Sequence, residues 1–114
     1  MTLKRFERPD DCATFEKGRF DRIALGPTIL GRARYEPGWK WSAHVGALNG
    51  RRWCTTEHVG LVLSGTAAVA YPDGRVEEMR AGDAFYITGE HDSWVVGNEP
   101  YVSLHVAGAD SYAS

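Results

Sequence analysis

Turn signals recur along this chain about every eight to twelve residues, and that spacing leaves room for short strands and little else. They fall at Pro37-Gly38, Gly46 to Gly50, Ser64-Gly65, Pro72-Asp73-Gly74, Arg80 to Asp83, Gly89 to Ser93 and Gly97 to Pro100. Between them the apolar residues alternate. From Thr28 to Glu36, the residues Ile29, Gly31, Ala33 and Tyr35 oppose Arg32, Arg34 and Glu36; from Trp39 to Val45, the residues Trp39, Trp41, Ala43 and Val45 oppose Lys40, Ser42 and His44. Period two marks half-buried strands. Gly18 to Gly26, Arg75 to Met79, Ala84 to Thr88, Trp94 to Val96 and Tyr101 to Val106 read as further strands. His58 to Tyr71 holds almost no charge and reads as two buried strands broken at Ser64-Gly65. At the N-terminus, Leu3/Arg5 and Lys4/Phe6 alternate before Pro9-Asp10-Asp11, which predicts an edge strand and then a turn. Residues 107–114 read as a fraying tail. No stretch keeps a helical period, so the fold expected is all-β, a sandwich or barrel, with 1–114 as one domain.

Charge and hydropathy exclude several roles. A net charge of −2 argues against a nucleic-acid partner, which needs a basic face. No run reaches the roughly 18 apolar residues of a membrane span. The start MTLKRFERPDDC lacks the apolar core of a secretory signal, so a cytoplasmic protein is expected. In that compartment Cys12 and Cys54 are expected as free thiols.

Chemistry gathers in two places. The stretch CTTEHVGLVLSG sets the thiol of Cys54 four residues before the imidazole of His58, and one strand pair later comes the polar corner Gly89-Glu90-His91-Asp92-Ser93-Trp94. Thiolate and imidazole are the donors that zinc, iron and nickel prefer, and on a strand residues four apart face the same way. Equally, Cys54 and His58 fit a buried structural cysteine and a hydrogen-bonded core histidine. Asp92 either fixes the tautomer of His91 or ties the backbone amides of its own turn. Trp39, Trp41, Trp53 and Trp94 serve either packing or a collar around a pocket. Glu57 and Tyr86 are candidate acids or bases, and His105 a candidate pocket-lining residue.

The order strand, PDG hairpin, strand, AGD turn, strand, polar corner, strand resembles the cupin superfamily. Its first motif is G-x5-H-x-H-x3,4-E-x6-G and its second G-x5-P-x-G-x2-H-x3-N. Gly65 matches the closing glycine of the first and Gly82 the opening glycine of the second. From Tyr35 to Pro100 the chain is similar to a group of small single-domain cupins with the patterns CxxxHVGYVLSG and PPGHDAWVVGDEP. The resemblance implies a single cupin-type β-barrel, a double-stranded β-helix or jelly roll, with a short N-terminal strand or turn extension. In its frame His58 stands at the glutamate, Cys54 at the second histidine, Arg52 at the first, and Ser93 at the histidine of the second motif. Thr88 and Glu90 replace the proline and glycine of that motif. His91, two residues before Ser93 and on the same face, is the candidate for the missing imidazole, the alternative being a histidine of a surface loop. Counted forward from Pro37-Gly38, His44 rather than Arg52 takes the first-histidine place.

The ligand set implied is Cys54, His58, His91 and His44 around a divalent metal: zinc or iron, or else nickel. Three functions follow: a mononuclear metal cupin acting on a small organic molecule as an oxygenase, isomerase or lyase; a non-catalytic binder of a small ligand; or a closed structural zinc site. A homodimer is expected because edge strands are commonly covered by a partner. Sedimentation at micromolar concentration checks this, and a monomer would count against it.

Overall fold

The computed structural model describes residues 1–110. Among these residues, nine strands make two antiparallel sheets: β1 (Asp11–Phe15), β2 (Gly18–Leu25), β3 (Thr28–Tyr35), β4 (His58–Ser64), β5 (Thr66–Ala70), β6 (Val76–Arg80), β7 (Ala84–Ile87), β8 (Asp92–Val96) and β9 (Tyr101–Ala107). The larger sheet has the order β1-β2-β3-β9-β4-β7 and the smaller β6-β5-β8. From β4 onward the chain crosses from one sheet to the other at almost every turn, which rolls the two sheets into the expected barrel. No helix among the described residues is long and apolar enough to cross a membrane.

The turn chemistry explains the crossings. At the corner between β4 and β5, Gly65 has φ 76°, and a Cβ there would lie 2.3 Å from the Pro100 carbonyl oxygen. Only glycine fits such a corner. Inside the barrel, inward residues of both sheets meet Trp39 and Trp41 of the segment between β3 and β4: Phe20, Ala33, Tyr35, Trp39, Trp41, Val62, Ala67, Val95 and Tyr101 are all buried. Tyr35 and Trp39 stack at 3.7 Å with planes 4° apart.

Four expectations need correction. First, residues 1–10 carry no strand; the edge strand is β1, which begins after the breaker. Pro9 has no amide to give a ladder, while Asp10 donates its N–H to Arg22 and accepts from Ala24 N–H and Lys4 Nζ. Second, Trp39 to Val45 is not a strand: Trp41–His44 forms a single helical turn, α1, followed by a 3-10 turn at Gly46–Asn49. A four-residue spacing shares a face in either geometry, so Trp41 and Val45 are buried together in both. Third, β4 is only half-buried, with Val59, Leu61 and Leu63 exposed. Its outward residues are as apolar as its inward ones, so no alternation marks the face. Fourth, the chain does not fray from residue 107: Ala109 is buried and its carbonyl accepts from Arg22 Nε at 2.6 Å. The rest of that expected tail, residues 111–114, lies outside the described residues.

A long-range contact decides the helical turn. Asp92, at the start of β8, is 2% exposed. Its carboxylate accepts from the backbone N–H of Ser42 at 3.0 Å and from the Ser42 hydroxyl at 2.7 Å. Arg52 and Lys40 approach the same carboxylate at 3.4 and 3.8 Å. Asp92→Ala leaves both Ser42 donors without this acceptor, so it should cost about 2 to 3 kcal/mol. The midpoint of urea unfolding checks this; an unchanged midpoint would mean that α1 is held by packing alone.

Candidate metal centre

Three donors converge inside the barrel from three pieces of backbone. Cys54 sits in an isolated bridge with His91, each giving its N–H to the other's carbonyl at 2.8 and 3.0 Å. His58 opens β4 and points inward. The ligand atoms of Cys54, His58 and His91 all lie within 4.8 Å of one another, and the three residues are 2 to 4% exposed. Cys54 and His58 thus face each other across a short loop rather than along one strand. His91 and Ser93 line the same cavity, in keeping with their shared parity.

The donor set fits a small divalent cation. Donors held at about 2.0 to 2.3 Å in a tetrahedron lie about 3.3 to 3.8 Å apart; Cys54 Sγ and His58 Nε2 are 3.7 Å apart. Nδ1 of His91 lies 2.9 Å from the Gly89 carbonyl. A carbonyl only accepts, so the proton sits on Nδ1 and Nε2 keeps its lone pair, as a metal-binding imidazole requires. Burial pushes the His58 pKa down to about 3, with the positive charges of His105 and His91 adding to it. Burial likewise takes His105 to about 4 and lowers His91 against the hydrogen bond to Gly89. The imidazoles are therefore neutral near pH 7. Burial raises the Cys54 thiol, against hydrogen bonds to Thr56 that lower it. A thiolate there is costly unless a cation sits against it.

These depressed values give a pH prediction. Each imidazole binds its proton more tightly in the unfolded chain, whose histidines titrate near 6.5, than in the native one. Stability is thus fully present above that value and falls with pH below it. For the metal-free protein the loss should be about 2 kcal/mol at pH 5 from His58 alone. Urea midpoints at pH 7 and pH 5 check this; equal midpoints would mean that the imidazoles protonate freely in the native state.

The other sequence candidates are placed elsewhere. His44 stands on α1, where Nδ1 accepts from the Lys40 N–H at 3.0 Å and Nε2 is 3.9 Å from Glu16. Arg52 is largely exposed and stacks 4.3 Å above the Trp53 ring. Neither occupant of the first-histidine place is brought to the group. Asp92 takes the second of its two alternatives, accepting from Ser93 N–H in its own turn as well as from Ser42. Tyr86 and Thr88 donate to Glu57 on the outside of the barrel. His105 lines the cavity as expected, 3.0 Å from the Ser103 hydroxyl, with its ring 5.3 Å from His58 and between Phe20 and Phe85. Both cysteines are free thiols, Cys12 exposed and Cys54 buried. Of the tryptophans, Trp39 and Trp41 line the cavity, together with Tyr35, Met79, Phe85 and Tyr101. The Gly89 carbonyl that orients His91 went unread; its signal was the glycine two residues before the histidine.

No family model and no curated protein matches the sequence. Solved structures match its fold. A protein of unknown function from Rhizobium leguminosarum is 22% identical, with TM-score 0.59, over 94% of this chain and 97% of that one. The polyketide cyclase RemF from Streptomyces resistomycificus is 20% identical, with TM-score 0.59, over 96% and 80%. Procruciferin, an 11S globulin from Brassica napus, is 16% identical, with TM-score 0.64, over 92% of this chain and 30% of that one. At 22% identity or lower these matches establish the fold alone, and that fold is the cupin barrel.

Proposed function

We propose that this chain is a mononuclear metal cupin in which Cys54, His58 and His91 hold a divalent ion, zinc or iron, and a small molecule takes the remaining position. The observation that carries this reading is the convergence of one thiol and two neutral imidazoles within 4.8 Å in a buried cavity. A bound ion of this kind supplies Lewis acidity to whatever occupies its open position. The chain's own residues do the rest. The Gly89 carbonyl fixes the His91 ring, and the bridge between Cys54 and His91 sets the spacing of two donors. Trp39, Trp41, Tyr35 and Tyr101 keep bulk water away from the third side. A solved neighbour named as a polyketide cyclase supports catalysis on a small molecule as the use of such a barrel.

A closed structural zinc site needs a fourth protein ligand, and the His44 ring is engaged with Lys40 and Glu16 instead. The group holds three such residues among the described ones, which favours an open position. Metal analysis of protein purified without added metal tests the proposal. It should give about one equivalent of zinc or iron per chain; protein that is metal-free and takes up no cobalt(II) would overturn it.

A further inference from the structure

We propose that the open position of this site admits small monoanions of very few non-hydrogen atoms and excludes ring-sized ones, and that Trp41 and Met79, which both line the cavity, set that limit. This rests on the metal reading above and adds the class of ligand to it.

The first observation is size. The cavity that Cys54, His58 and His91 line has a volume of about 30 Å3. One ordered water needs about 10 to 15 Å3 measured this way, and the ion itself takes one such share, so what remains suits a ligand of very few atoms and not a ring.

The second observation is that the wall on the Trp41 side is fixed. The Trp41 indole is wedged on one side by Gly46, where even an added Cβ would lie 2.5 Å from the ring. The Arg51 guanidinium sits 5.7 Å from the ring centroid. The helical turn that carries Trp41 is tied to β8 by the two hydrogen bonds from Ser42 to Asp92. Next to it, Trp39 is stacked on Tyr35, and Tyr35 lies nearly parallel to Tyr101 at 6.1 Å. Widening the cavity on this side breaks a stack or unties α1. Met79 of β6 lines the cavity from the smaller sheet.

Charge points the same way. One thiolate and two neutral imidazoles around a divalent ion would leave a single positive charge in a buried site. A monoanion neutralises it, and a neutral ligand does not.

Titration of the cobalt(II)-loaded protein with azide and with benzoate, followed by visible absorption, tests the proposal. The two anions carry the same charge and differ in size. Azide should perturb the spectrum in a saturable way, with benzoate weaker by about 100-fold or more. In Trp41→Ala the gap should close by about 10-fold or more through tighter benzoate binding, with azide little changed. Met79→Ala should act in the same direction and serves if the tryptophan variant does not fold. Benzoate within about 10-fold of azide on the unaltered protein, or no response to azide at all, would overturn the proposal. Absence of a thiolate-to-cobalt absorption band would overturn the metal reading itself, and that outcome is read before any anion is added.

Discussion

Cys54→Ala should lower the affinity for zinc by about 100-fold or more, beyond the 10- to 100-fold that loss of an outer partner of a ligand costs. The argument is direct: Cys54 is the one anionic donor of the group, and the two imidazoles alone leave a buried divalent ion poorly neutralised. His58→Ala should lose metal comparably. The sharper comparison is with His105→Ala. The two rings are 5.3 Å apart, both nearly fully buried and both neutral. Yet only His58 belongs to the converging group, and His105 meets the Ser103 hydroxyl instead. His105→Ala should therefore destabilise the fold by about 2 to 4 kcal/mol through lost packing and leave metal content near one equivalent. Equal loss of metal from both variants would mean that metal retention follows barrel integrity and not ligation.

Gly65→Ala should be among the most damaging single-methyl changes in the barrel. Its φ of 76° costs an alanine about 1 to 2 kcal/mol. The added Cβ would also sit 2.3 Å from the Pro100 oxygen and 2.8 Å from the Tyr101 Cα. Both neighbours are backbone, one at the start of β9 and one just before it, and cannot swing aside as a side chain could. Together these should remove about 3 to 5 kcal/mol. Gly74→Ala makes the comparison clean: its φ is 94°, but nothing lies within 4 Å of the new atom. It should lose only the conformational part, about 1 to 2 kcal/mol. Urea unfolding of the pair separates strain from clash, provided that the slope of the transition is unchanged. Because β4 ends at this corner and begins at His58, Gly65→Ala should weaken metal binding too.

Much of the barrel was legible because its turns are written in residues with few alternatives. Gly65 and Pro72-Asp73-Gly74 each permit little but a corner, and β3 alternates so regularly that its buried face could be named residue by residue. Placing Gly65 in the cupin frame singled out Cys54 and His58, and the shared parity of His91 with Ser93 singled out the third member of the group. Local spacing alone misdescribed the route, since Cys54 reaches the site through a bridge to His91 and not along β4. What stayed hidden depended on partners far along the chain. Nothing near Ser42 announces that Asp92, fifty residues on, will take its amide and hydroxyl and turn residues 41–44 into a helical turn. That turn is also what carries the His44 ring toward Lys40 and Glu16, out of the position that counting from Pro37-Gly38 gave it. The half-exposure of β4 was illegible for a different reason: Val59, Leu61 and Leu63 are chemically indistinguishable from core.

X-ray absorption at the edge of the bound metal is the most direct test of the central claim, because it counts sulfur separately from nitrogen. Ligation by Cys54, His58 and His91 predicts one sulfur at about 2.3 Å and two imidazole nitrogens at about 2.0 to 2.1 Å, with a light atom completing the shell. A shell of nitrogen and oxygen alone, with no sulfur neighbour, would contradict it.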